Sequence, residues 1–169
     1  MALLKQELQL ETVIVGLGEM QVSKNSSVVL ACLGLVSCIG VCAYDPVSKV
    51  AGMAHIVLPS SEGRDAGKSP KYADTAIPAL VDEMCKIGAN ERRLIVKISG
   101  GAQMSTGAGS SDIFKTGERN AEATKATLSK HGIRLVSSEL GGKHGRTVRL
   151  YVDSGRVSVA TAGSASTDI

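Results

Sequence analysis

Two cysteines lie within ten residues in CLGLVSCIGV (32–41), set among glycines and aliphatics, and a histidine follows at position 55. The stretch CIGVCAYDPVSKVAGMAHIVL (38–58) holds two apolar runs joined by Asp45-Pro46-Val47-Ser48, with proline where a type I turn prefers it. This pattern predicts a hairpin. With Pro46 and Val47 as its central turn residues, Asp45 faces Ser48 and Cys38 faces His55. Directly opposed residues share a face of the sheet, with Cβ atoms ~4.5–5.5 Å apart. A thiol then sits beside an imidazole on adjacent strands, an inference that a one-residue slip in register would undo.

Such a pair supports a specific chemistry. The thiolate is the attacking form of cysteine, and a neighbouring imidazole stabilises it. The same histidine can then protonate a leaving group, which is the plan of acyl transfer at an amide or ester. A third group that orients the imidazole completes the arrangement. The competing reading is that free cysteine in an apolar strand is a small core residue. Cys42 reads that way, as does Cys85 on the predicted buried face of a helix. His131 ends a helix, where its charge suits the local dipole. His144, in the Gly-rich GGKHGR, is placed to line a cleft. The four cysteines include no C-x-x-C pair, which leaves a structural zinc site without its usual spacing. A redox-sensing thiol protein is a third reading, carried by the nearness of Cys32 to Cys38.

The elements that must position these residues follow from patterning. Strands are expected at 11–17, 26–33, 92–100 and 133–140, and a terminal hairpin is formed by RTVRLYV and RVSVA around Asp153-Ser154-Gly155. Both runs of the 38–58 hairpin are apolar on both faces, so it belongs inside the domain. DTAIPALVDEMCKIG (74–88) is an amphipathic helix with Ile77, Leu80, Val81, Met84 and Cys85 on one face. TGERNAEATKATLSKHG (116–132) is a second helix with a glycine stop. PSSEGRDAGKSPK (59–71) and STGAGSSD (105–112) read as loops, and long loops in a small domain are often functional rims. The fold class is α/β, a single-domain layered sandwich of mixed, largely antiparallel β-sheet with two main helices, cysteine-hydrolase-like. Its limits are 11–160, between an N-terminal tail at 1–10 and a disordered tail at 161–169.

Composition narrows the function. The chain has 169 residues, 43% apolar and 21% charged, which suits one globular domain with a real core. A formal charge of +3 with scattered Lys and Arg and only four aromatics argues against nucleic-acid binding. MALLKQELQLE has no apolar core of a secretion signal, and no run reaches the ~18 apolar residues of a membrane span. A cytoplasmic protein with reduced thiols and no membrane insertion is expected, and no disulfide framework.

The chain also resembles a known family. VGLGE (15–19), VSKN (22–25), LGLVSCIGV (33–41), YDP (44–46), GMAHIVLP (52–59), KYADTAIP (71–78), KISGGAQM (97–104), TGERN (116–120) and GGKHGR (141–146) occur in the order typical of CheD, the bacterial chemoreceptor glutamine deamidases. The likeness spans roughly residues 12–160. It implies chemotaxis, and hydrolysis of a glutamine side-chain amide on the cytoplasmic domain of a methyl-accepting receptor, giving glutamate and ammonia with no cofactor or metal. Glutamyl methyl esters are implied as further substrates, and a CheC-type phosphatase as a partner. The family's nucleophile falls on Cys38 and its histidine on His55, the pair already singled out. Its third catalytic residue, a threonine, falls on Cys32, and a glycine of its T-L-G-L-G-S-C motif is replaced here by Val36. The alternative to a deamidase is a regulatory chemotaxis module that docks a CheC-type phosphatase with weak or no catalysis.

Overall fold

The computed structural model of the protein describes residues 9–64, 68–103 and 115–169. Ten strands and two helices follow one another as β1 (Glu11–Ile14), β2 (Met20–Ser23), β3 (Val28–Leu35), β4 (Ile39–Asp45), β5 (Val50–Ile56), α1 (Ala73–Lys86), β6 (Ile95–Gly100), α2 (Thr116–Lys130), β7 (Arg134–Leu140), β8 (Arg146–Tyr151), β9 (Val157–Thr161) and β10 (Thr167–Asp168). They build two five-stranded sheets, in the orders β1-β3-β8-β9-β10 and β2-β5-β4-β6-β7. Only β1 with β3 and β6 with β7 run parallel. Every other pairing among these strands is antiparallel.

The layering follows from the central hairpin, in which every residue of β4 and β5 is buried. Side chains alternate between the faces of a strand. Ile39, Val41, Ala43, Val50, Ala54 and Ile56 point one way and pack on Ile77, Leu80 and Met84 of α1 and Leu128 of α2. Cys42, Tyr44, Ala51 and Met53 point the other way, onto Leu30, Cys32 and Leu35 of β3 and Val148 and Leu150 of β8. The result is three layers, sheet on sheet on helices, with β4 and β5 apolar on both sides because both sides are covered. No helix among the described residues is long and apolar enough to cross a membrane.

Several sequence expectations need correction. The hairpin closes two residues later than Pro46-Val47 implies: Asp45 pairs with Val50, and Gly40 with His55. Four residues make the turn, and Lys49 takes the left-handed conformation at φ 54° that such a turn requires. Cys85 lies on the exposed side of α1, because the buried stripe runs through Ile77, Leu80, Val81 and Met84 and turns away from it. Residues 161–169, read as a disordered tail, carry β10, which pairs with β9. An ion pair from Arg156 to Asp168 at 3.1 Å and a bond from the Ile169 N–H to the Val157 carbonyl at 3.1 Å hold it there. Strand β2 was missed, since MQVS is too short and too mixed to show a period. The predicted loop 105–112, residues 65–67 of the loop 59–71, and most of the predicted 1–10 tail lie outside the described residues.

Candidate active site

Cys38 occupies the bend where the chain leaves β3 in one sheet and enters β4 in the other. Three successive carbonyls of this bend are each held. The Ala102 N–H donates to the Val36 carbonyl at 2.6 Å and the Gly101 N–H to the Cys38 carbonyl at 3.0 Å. The Asn120 side-chain Nδ2 donates to the Ser37 carbonyl at 2.9 Å. Gly100 makes this approach possible, because a Cβ there would lie 2.1 Å from the Cys38 carbonyl oxygen. Its φ of 127° is also one that L residues rarely adopt. The Gly100 carbonyl is fixed in turn by Arg146 Nη1 at 2.7 Å. Arg146 is buried and meets Glu139 through Nη2, while its Nε forms an ion contact with Glu139 Oε2 at 2.9 Å. The bend is thus held by backbone bonds, the Asn120 amide and one buried arginine, which leaves the Cys38 side chain out of the fastening.

His55 lies near the end of β5, 4% exposed. Its N–H donates to the Glu19 carbonyl and its carbonyl accepts from the Gly18 N–H, so the VGLGE segment grips it on the β2 side of the strand. The ring Nδ1 stands 3.0 Å from the Val15 carbonyl. A carbonyl can only accept, so Nδ1 carries the proton and Nε2 is left as the basic nitrogen. Cys38 precedes Gly40, the residue opposite His55, by two positions. Cys38 itself lies in the bend outside β4 and packs against the cluster of Cys42, Tyr44, Ala51 and Met53, the residues on the His55 side of the hairpin.

Cys32 also reaches this spot. A Cβ built on Gly40 would come within 3.8 Å of its Sγ. The Cys32 thiol is pushed up to about 12, by burial first and by the neighbouring Cys38 second. It therefore stays protonated across the physiological range. The half-buried Cys38 thiol is also pushed up, by burial. That direction is the opposite of the lowering inferred from the sequence. Cys42 is buried between the sheets, and its thiol is pushed up well above the ordinary value. All four cysteines are free. His131 caps the C-terminus of α2 as expected, and His144 is exposed. Val36 keeps a negative φ, since Lys49 and Glu62 are the only described non-glycine residues with positive φ. The loss of a glycine at 36 therefore demands no strained backbone.

A cavity of about 610 Å3 adjoins the bend and is lined by Gly101, Gln103, Glu118, Glu122, Lys125 and Lys143, among others, but by neither Cys38 nor His55. No group of three His, Cys, Asp or Glu among the described residues is placed to hold a metal ion. Sequence reasoning missed the Val15 carbonyl, Asn120 and Arg146. The first is a backbone atom with no residue-type signal, and the other two sit in TGERN and GGKHGR, segments that stood out only as motifs.

Residues 57–161 match the family model described as CheD chemotactic sensory transduction. A relative from Symbiobacterium thermophilum named probable chemoreceptor glutamine deamidase CheD is 48% identical over 151 residues, covering 88% of this chain and 92% of its own. The chain belongs to the CheD family. A Caldanaerobacter subterraneus relative of the same name is 47% identical, with 88% of this chain and 92% of its own covered. The Thermotoga maritima chemoreceptor glutamine deamidase CheD is 43% identical, with 89% and 92% covered. Among solved structures, a Neisseria meningitidis protein of family DUF152 aligns over 82% of this chain and 66% of its own, with 11% identity and a TM-score of 0.46.

Proposed function

We propose that this CheD protein hydrolyses glutamine side-chain amides on chemoreceptors to glutamate and ammonia, through a thioester on Cys38. The Cys38 sulfur attacks the carboxamide carbon while its proton passes to His55 Nε2. Collapse of the tetrahedral intermediate breaks the C–N bond, and the same proton leaves with the nitrogen as ammonia. Water then attacks the thioester, giving one proton to Nε2, and the carbonyl carbon leaves sulfur as glutamate. Return of the proton from Nε2 restores the thiol. Each step balances with no other reactant.

The observation that supports this reading is the Nδ1 contact from His55 to the Val15 carbonyl at 3.0 Å. It fixes the tautomer that both proton transfers require. It also supplies an orienting group for the ring, the role that the family resemblance assigned to position 32. The test is peptide mapping by mass spectrometry of a purified receptor cytoplasmic domain after incubation with the protein. Conversion of specific glutamines to glutamate is expected. Unchanged glutamines, with retained binding to a CheC-type phosphatase, would favour the docking module instead.

A further inference from the structure

The ladder between β4 and β5 ends at Ile39 and Ile56, and just beyond it the carbonyls of Ser37 and Val57 have no strand partner. Asn120, entirely buried in the second turn of α2, supplies both. Its Nδ2 donates to the Ser37 carbonyl at 2.9 Å and to the Val57 carbonyl at 2.9 Å. One amide group therefore ties the residue before the nucleophile to the residue two past the histidine. The helix is locked to the same bend a turn earlier, where a Cβ on Gly117 would lie 2.6 Å from the carbonyl oxygens of both Gly101 and Ala102. The Asn120 Oδ1, in contrast, is buried with no partner among the described residues. Burying an unpaired acceptor is unfavourable, so the side chain serves through its two N–H bonds.

The consequence lies in the Ser37–Cys38 peptide. A trans peptide is planar, and its C=O and N–H point in opposite directions. With the Ser37 carbonyl turned onto α2, the Cys38 N–H is turned away from the helix. We infer that Asn120 is a positioning residue for the deamidation. It sets the Cys38 N–H as a donor to the oxyanion that forms when Cys38 attacks the carboxamide, and holds that donor at a fixed spacing from His55. This rests on the proposed deamidase reading and adds to it a residue and a role.

The test compares wild type with Asn120→Asp, which keeps the shape and replaces the doubly donating NH2 group by an acceptor oxygen, and with Asn120→Ser, which can serve one carbonyl. Receptor deamidation gives kcat and KM, and iodoacetamide alkylation of Cys38 is followed in a Cys85→Ser background. Alkylation forms no oxyanion. The expected result for Asn120→Asp is a fall in kcat of about 100-fold, the usual scale for a lost oxyanion donor, with KM and the alkylation rate changed less than about threefold. Asn120→Ser should fall less. A kcat near wild type, a parallel loss of alkylation, or unfolding of both variants by circular dichroism would each assign Asn120 to folding alone and overturn the inference. Wild type that leaves receptor glutamines unchanged would instead remove the deamidase reading, and this inference with it.

Discussion

The two ends of the β4–β5 hairpin are built from the same strands and held in opposite ways. At the turn, the Asp45 side chain is fully buried and saturated: it accepts from the N–H groups of Val47, Ser48 and Asn90 and from Arg93 through Nε and Nη2. The Arg93 guanidinium, aided by backbone N–H groups, holds that carboxyl far below the ordinary carboxylate range. At the other end, the Cys38 bend and the His55 strand are fastened by carbonyls, glycines and the Asn120 amide, and the Cys38 thiol takes no part in the fastening. A side chain that accepts from every neighbour is committed to the fold. One whose backbone carries the load remains available for chemistry, at the expense of an unpaired buried acceptor on Asn120.

The largest separation of the two ends should come from removing the reacting groups. Cys38→Ala should abolish deamidation and His55→Ala should lower it at least about 1000-fold, with circular dichroism and melting temperature close to wild type. Full turnover in either variant would break the contrast, and loss of folding in both would return Cys38 to the core. Asp45→Asn should do the reverse. It removes the charge partner of Arg93 and should cost about 3 kcal/mol of stability, a fall of about 10 °C in melting temperature, with kcat at a permissive temperature within about twofold.

That difference has a pH signature. The folded-state pKa of Asp45 is depressed, so its contribution is fully present above the unfolded value of about 4 and fades as pH falls below it. The stability gap between wild type and Asp45→Asn, measured by urea unfolding, should be flat above about pH 5 and narrow below about pH 4. The buried thiols act in the opposite direction. With Cys32 raised to about 12, the unfolded chain ionises first as pH rises past about 8.5. Stability should therefore decline from there upward, by about 1.4 kcal/mol for this group at pH 9.5. A Cys32→Ala variant that declines as steeply as wild type would contradict the burial argument.

The smallest effect is expected at Cys32 in turnover. The Val15 carbonyl already holds the His55 ring, so Cys32→Ala and Cys32→Thr should each change kcat by tenfold or less, within about 1.4 kcal/mol of barrier. A Cys32→Ala variant as inactive as Cys38→Ala, with the fold intact, would give Cys32 chemistry of its own.

The hairpin and both helices were legible because periodicity and turn composition are local signals. The register was misread by two residues, since composition does not distinguish a two-residue turn from a four-residue turn with Lys49 at positive φ. A two-residue slip is a full period of a strand, so it leaves unchanged which residues of β4 and β5 share a face. What remained hidden depends on distance in sequence. The Val15 carbonyl is 40 residues from His55, and the Asn120 amide is 83 from Ser37 and 63 from Val57. Cys85 was misassigned because an amphipathic stripe near a helix end does not show how far the underlying sheet extends.

The central claim is that a glutamyl thioester forms on Cys38, and hydroxylamine tests it during turnover. As a stronger nucleophile than water, it should intercept the thioester, release the Cys38 thiol and leave a hydroxamate at the glutamine that otherwise becomes glutamate. Mass spectrometry of the receptor domain should find that hydroxamate with wild-type protein and not with Cys38→Ala. Glutamate formed at an undiminished rate, with no hydroxamate at saturating hydroxylamine, would mean that water attacks the amide directly and that Cys38 is not the nucleophile.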